Sequence, residues 1–217
     1  MKRKYELAIF DLDGTILDTT EGVLAAVVHT IGKMGYEMLD DSILSSFIGP
    51  PIQDSFAKAY KLEGPVLQEI ATIFRDQYSK IDLLKAVPYE GIYEMFQTLV
   101  DWNVKPAIAT YKREDYALTL LKHYGFDRYT DIMYGGDHEN KLKKRDIIEK
   151  CIKDSGVSDR SKIVMIGDTA HDALGAELAG VDFIGVTFGF GFRTADEVYA
   201  QGAIGCAEKA IDILEWF

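Results

Sequence analysis

The run Leu7-Ala8-Ile9-Phe10, apolar at every position and followed at once by Asp11-Leu12-Asp13-Gly14-Thr15, constrains this chain more than any other stretch. A strand that is apolar on both faces belongs inside a parallel sheet covered by helices, and residues 5–10 read as such a strand. Open α/β sheets bind ligands outside the carboxyl ends of their strands, and Asp11 stands on that rim. Side chains alternate along extended chain, so Asp11 and Asp13 share a side before Gly14 releases the backbone into a turn. Two carboxylates this close repel by about 4 kcal/mol at an effective dielectric near ~20, unless a cation or a proton intervenes. Oxygen donors with no His or Cys beside them favour Mg2+ over a softer metal. The plainer alternative is that Asp11 caps the turn while Asp13 is solvated.

Beyond the first strand the period becomes helical. Val23, Leu24, Val27, Val28, Ile31 and Met34 form one apolar face. Further helices are expected over 42–48, 51–60 and 66–84, separated by Gly49-Pro50-Pro51 and Glu63-Gly64-Pro65. With no strand pattern among them, residues 17–85 read as a small all-helical insertion, a lid or cap hinged near Leu17 and near Ala86 to Pro88. From Pro88 onward helices alternate with strands expected over 104–109, 132–134, 162–166 and 183–186. That alternation predicts the α/β class: a doubly wound, mostly parallel sheet built from residues 1–16 and 86–217.

Bulk properties remove several functions. A formal net charge of -11 over 217 residues disfavours a nucleic-acid groove or an anionic membrane surface as partner, despite a basic spot at Lys141, Lys143, Lys144 and Arg145. Met1-Lys2-Arg3-Lys4 resembles the start of a signal peptide, but Asp11 cuts the apolar run too short, and no stretch approaches the ~20 apolar residues of a membrane span. Cys151 and Cys206 lack metal-ligand or redox spacing and read as buried thiols of a reducing compartment, which points to the cytoplasm. His29 reads as a packing or surface residue of the insertion, and His123, His138 and His171 have no ligand spacing.

The strand ends carry, in order, Asp11 with Asp13, then Thr110, then a lysine cluster, then Gly167-Asp168-Thr169-Ala170-His171-Asp172. This series resembles the haloacid dehalogenase superfamily of phosphotransferases over essentially the whole chain. The segments Ile108-Ala109-Thr110-Tyr111-Lys112, Phe47-Ile48-Gly49-Pro50-Pro51 and 185–192 look most like its phosphoglycolate phosphatases. The resemblance implies a Rossmann-like core with a helical cap, Mg2+ as cofactor, and a small phosphomonoester as substrate. It implies that Asp11 attacks phosphorus, that Asp13 protonates the leaving oxygen and later activates water, and that Thr110 and Lys144 complete the catalytic set. Phosphate oxygens would be bound by Gly14, Thr15, Thr110, Tyr111 and Lys144. The metal would be held by Asp11, the backbone carbonyl of Asp13, and Asp168, with Asp172 orienting a metal water or the lysine.

One motif departs from the family's commoner K-P-x-P pattern. No proline is present, and Lys144-Arg145-Asp146-Ile147-Ile148 fits a K-x-D-hydrophobic variant best, with Lys141 the alternative. Asp172 also reads as an acid favoured by a helix N-terminus. Lys112 is a candidate to reach substrate, and Lys58, Gln53 and Tyr60 are candidates in the insertion for the leaving group. Gly189-Phe190-Gly191 lacks the third glycine of a dinucleotide fingerprint and reads as a loop packed on the core. The best single substrate expectation is 2-phosphoglycolate, ahead of a nucleoside 5'-monophosphate or a sugar phosphate. A β-phosphoglucomutase-like phosphotransferase is the nearest enzymatic rival, but segment 49–55 lacks the arginine such mutases carry there. A non-catalytic phosphoryl-binding module is the alternative of a different class. Relatives occur as monomers and homodimers.

Overall fold

A computed structural model of the chain describes residues 4–138 and 141–217; the basic run Met1-Lys2-Arg3 lies outside them. Two compact units result, one of Met1–Asp18 with Pro88–Phe217 and one of Thr19–Val87. In chain order the first elements are β1 (Leu7–Phe10), β2 (Leu17–Asp18), α1 (Thr20–Met34), α2 (Asp41–Ser45), α3 (Ile52–Tyr60) and α4 (Val66–Gln77). There follow β3 (Val87–Pro88), α5 (Ile92–Asp101), β4 (Lys105–Arg113), α6 (Glu114–His123), β5 (Met133–Gly136) and α7 (Lys144–Ser155). The chain closes with β6 (Ile163–Gly167), α8 (Ala170–Ala179), β7 (Asp182–Val186), α9 (Ala195–Tyr199) and β8 (Gly205–Ala207).

The larger unit is built on a six-stranded sheet of order β5-β4-β1-β6-β7-β8, parallel at every pairing, with β1 near the centre. Phe10 pairs with Ile108 on one side and Ile166 on the other. That register brings the residues after β1 level with the end of β6 and the later part of β4. The apolar run of β1 is buried at all four positions, as a strand covered on both faces requires. On one face Leu7, Ile9, Ala107, Ala109 and Met165 pack with Ile147, Ile148 and Cys151 of α7 and with Ala173 and Ala176 of α8. Each large aliphatic side chain buried this way contributes roughly 1.5–3 kcal/mol. On the other face the Phe10 and Phe96 rings meet at 4.8 Å.

The smaller unit has its own core, in which Val27 and Ile31 of α1 meet Leu44, Phe47, Phe56 and Ile70. Val28, expected on this apolar face, is exposed, because one residue's step from Val27 turns the side chain away. The helix expected over 66–84 ends at Gln77 and continues as a π-helical stretch, Tyr78–Asp82. The short strand β8 and helix α9 carry no periodic signal long enough to be read from sequence. Cys151 is buried and Cys206 half-buried, and both are free thiols. Among the described residues, no helix is long and apolar enough to cross a membrane.

Candidate active site

The carboxyl ends of the central strands gather the acids. Asp11 follows β1, its backbone N–H donating to the Ile166 carbonyl at 2.9 Å. Asp168 follows β6, and Asp172 lies in the first turn of α8, which begins at Ala170. Carboxylate oxygens of Asp11, Asp168 and Asp172 all lie within 4.8 Å of one another, and all three residues are buried. Asp172 does both things its position suggested. One oxygen accepts from the Thr169 N–H (3.0 Å) and hydroxyl (2.7 Å), closing a capping box, while the other pairs with Lys144 at 2.6 Å.

Turn geometry brings Asp168 close. Gly14 adopts φ +81, and a Cβ there would meet an Asp168 carboxylate oxygen at 2.4 Å, so only glycine fits. Its N–H donates to the Leu17 carbonyl at 2.9 Å and that of Thr15 to the Leu12 carbonyl at 3.3 Å, so the backbone N–H groups of both residues expected to bind phosphate close the turn. The Thr15 hydroxyl donates to Asp168 at 3.3 Å. The other Asp168 oxygen accepts the N–H groups of Phe190 (2.8 Å) and Gly191 (3.0 Å). The segment 188–192 is therefore a brace for Asp168, a role its glycine–aromatic pattern did not reveal.

Lys144 opens α7 and is 2% exposed, whereas Lys141 and Lys143 are exposed. Its Nζ lies 2.5 Å from Asp11 and 2.6 Å from Asp172. A lysine at a helix N-terminus works against the helix dipole, so the acids are what draw it inward. The stem runs tightly over Gly175 of α8, where a Cβ would stand 2.7 Å from Lys144 Cγ. One ammonium among three carboxylates leaves the cluster short of positive charge. Burial pushes Asp11 up to about 8, with Lys144 opposing and the other acids adding to the rise. Burial, reinforced by Asp172 and opposed by the Gly191 and Phe190 amides, pushes Asp168 up to about 6. Burial alone would lower Lys144, but Asp11 and Asp172 overcome it and hold its ammonium above the usual lysine range.

Asp13 stands apart from the three. Its carboxylate takes Lys112 Nζ on both oxygens, at 2.9 and 3.2 Å. Thr110 is buried in β4, and its hydroxyl oxygen accepts the Lys112 N–H at 3.1 Å. Tyr111, between them, turns its hydroxyl to accept the Lys144 backbone N–H at 2.8 Å. In the helical unit, Gln53 donates to Gln68 at 3.2 Å and the Tyr60 hydroxyl to the Glu37 carbonyl at 2.7 Å, while Lys58 is exposed.

A family model described as haloacid dehalogenase-like hydrolase matches residues 8–186. Among curated proteins, the chain is 32% identical to a 5'-nucleotidase of Pseudomonas aeruginosa, covering 95% of this chain and 93% of that one. It is 34% identical to the pyrophosphatase PpaX of Halalkalibacterium halodurans over 88% and 86% of the two chains. Among solved structures, a putative phosphatase from Clostridium difficile superposes with a TM-score of 0.91 at 29% identity, covering 99% of each chain.

Proposed function

Since the chain belongs to the haloacid dehalogenase-like hydrolases, we propose that it is a Mg2+-dependent phosphatase that hydrolyses small phosphomonoesters through an aspartyl-phosphate on Asp11. One observation carries this reading: the buried carboxylates of Asp11, Asp168 and Asp172 converge with a single lysine on the rim where open α/β sheets bind ligands. The donor set fits the cation. Mg2+ takes oxygen ligands at about 2.0–2.1 Å, so opposed ligands stand about 4 Å apart, close to the spread of these carboxylates. Asp11, Asp168 and Asp172 would hold it, with the Asp13 carbonyl. When bound, the cation supplies the positive charge that the cluster lacks and that an incoming phosphate needs.

Phosphoryl transfer calls for positioning and positive charge more than for covalent machinery. The Asp11 carboxylate attacks phosphorus in line, forming a P–O bond as the ester P–O bond breaks. Asp13 gives a proton to the leaving oxygen and then takes one from the water that opens the acyl phosphate. Lys112 holds the Asp13 carboxylate in place for that exchange. Lys144 steadies Asp11 against the charge that gathers around it, and Thr110, with the amides of Gly14, Thr15 and Tyr111, binds the phosphoryl oxygens once the turn adjusts.

The unit Thr19–Val87 serves as a cap whose opening admits substrate and releases product. The similar proteins include one named for nucleotides and one for pyrophosphate, so similarity does not choose the leaving group. We keep 2-phosphoglycolate as the leading substrate, with nucleoside 5'-monophosphates and sugar phosphates next, in a cytoplasmic monomer or homodimer. The test is phosphate release from these esters and pyrophosphate, with Mg2+ or a chelator, and with Asp11→Asn in parallel. Release that needs both the metal and Asp11 supports the reading, and the preferred ester names the substrate. A folded protein that turns over none of them would overturn it in favour of a phosphotransferase or a phosphoryl-binding module.

A further inference from the structure

We propose that the Tyr111 hydroxyl is a positioning group for catalysis: by accepting the Lys144 backbone N–H it fixes the start of α7, and with it the ammonium that Lys144 delivers to Asp11 and Asp172. This rests on the phosphatase reading and adds a side chain to it. Lys144 is the first residue of α7, and the first N–H groups of a helix have no partner within it. The amide before it, that of Lys143, is taken by the Asp146 carboxylate at 2.9 Å. The Lys144 amide is taken from outside the helix, by Tyr111 on β4, at 2.8 Å.

The same ring sits beside the side chain it orients. Lys144 Nζ lies 5.7 Å from the Tyr111 ring centroid, within cation–π range. The ring also meets His171 of α8 edge-on at 5.8 Å. Tyr111 thus touches the first turns of both helices that supply charged groups to the cluster, α7 with Lys144 and α8 with Asp172. Tyr111 lies where the pairing of β4 with β5 shifts register, between Ala109 and Arg113, and from there its ring reaches the starts of both helices. Nζ is held within 2.6 Å of two carboxylates by a stem with little room over Gly175, so a small drift of the helix start would move the ammonium off Asp11.

The test is Tyr111→Phe, which removes only the oxygen, with Tyr134→Phe as control. Tyr134 also bonds α7 through its hydroxyl, but at Asp154, far along the helix. We expect Tyr111→Phe to lower kcat about five- to tenfold, the scale of one hydrogen bond, with KM within about twofold. Orthovanadate, which mimics the transition state, should bind correspondingly more weakly, while Tyr134→Phe matches wild type in both. A variant that is merely less well folded loses apparent kcat through a smaller active fraction, but its vanadate inhibition constant does not move. Unchanged kcat and vanadate inhibition in Tyr111→Phe would overturn the inference, as would a lower kcat with unchanged inhibition. A wild type without phosphatase turnover would sink the underlying reading and this inference with it, an outcome distinct from an active wild type matched by Tyr111→Phe.

Discussion

Asp168 and Asp182 stand at opposite ends of neighbouring strands of one sheet, and their surroundings could hardly differ more. Asp182 opens β7 on the amino-terminal rim. There the Tyr5 hydroxyl (2.6 Å) and Lys4 (2.9 Å) outweigh its partial burial and hold it below the usual carboxylate range. Asp168 follows β6 on the carboxyl-terminal rim, 0% exposed, beside two more buried acids, and is pushed up to about 6. The first rim meets its charges with local partners. The second leaves them in excess, a cost to folding that makes sense only where charge serves chemistry.

The largest break in this contrast should come from Lys144→Met. Removing one partner of a buried ion pair costs about 3–5 kcal/mol, and three carboxylates are then left together. Urea unfolding in chelator at pH 7.5 would read it, and the loss should shrink near pH 5 as the acids take up protons. A loss below about 1 kcal/mol would mean that the lysine does not hold the cluster.

The pH dependence of the metal-free protein sharpens the contrast next. Asp168 and Asp11 are raised when folded, so between an ordinary carboxylate value and their own the folded state binds more protons than the unfolded. Stability in chelator should therefore rise as pH falls from about 8 towards about 5, by about 1.4 kcal/mol for a shift the size of that at Asp168, the full ~3 kcal/mol being reached only below the ordinary carboxylate value. Asp182 has the opposite sign: its contribution is present above the ordinary carboxylate value and is lost as pH falls through its lowered one. Denaturant midpoints across that range, for wild type and Asp168→Asn, test the slope, which the variant should flatten.

The smallest effect belongs to Asp182→Asn. Its Lys4 pair is exposed, so the substitution should cost less than about 1 kcal/mol and leave turnover unchanged. Activity lost together with stability would mean that the two rims are not independent.

Much of this organisation was legible in the chain. The apolar run before Asp11 and the helix–strand alternation after Pro88 are long-range patterns, and they identified the sheet and its rim. Asp11 and Asp168 were readable because each follows a strand, and Lys144 through its likeness to the K-x-D-hydrophobic motif. What was not readable depends on contacts between segments far apart in sequence. Nothing in Tyr111 signals that its hydroxyl reaches Lys144, or in Gly189 to Phe192 that two amides brace Asp168. Nor does the sequence show that the Asp172 carboxylate lies within 4.8 Å of those of Asp11 and Asp168. The carboxylate of Asp13 instead turned to Lys112, a pairing set by the turn at Gly14 and the length of β4.

If the carboxyl-terminal rim takes a hard cation, thermal melting with Mg2+ against chelator will register it. A ligand at about a hundred times its dissociation constant adds about 2.7 kcal/mol to the folded state, which for a chain of this size raises Tm by about 5–10 °C. We expect that rise in wild type and in Asp182→Asn, and its loss in Asp168→Asn. No rise in wild type, or one that Asp168→Asn retains, would mean that the rim does not hold the cation through Asp168.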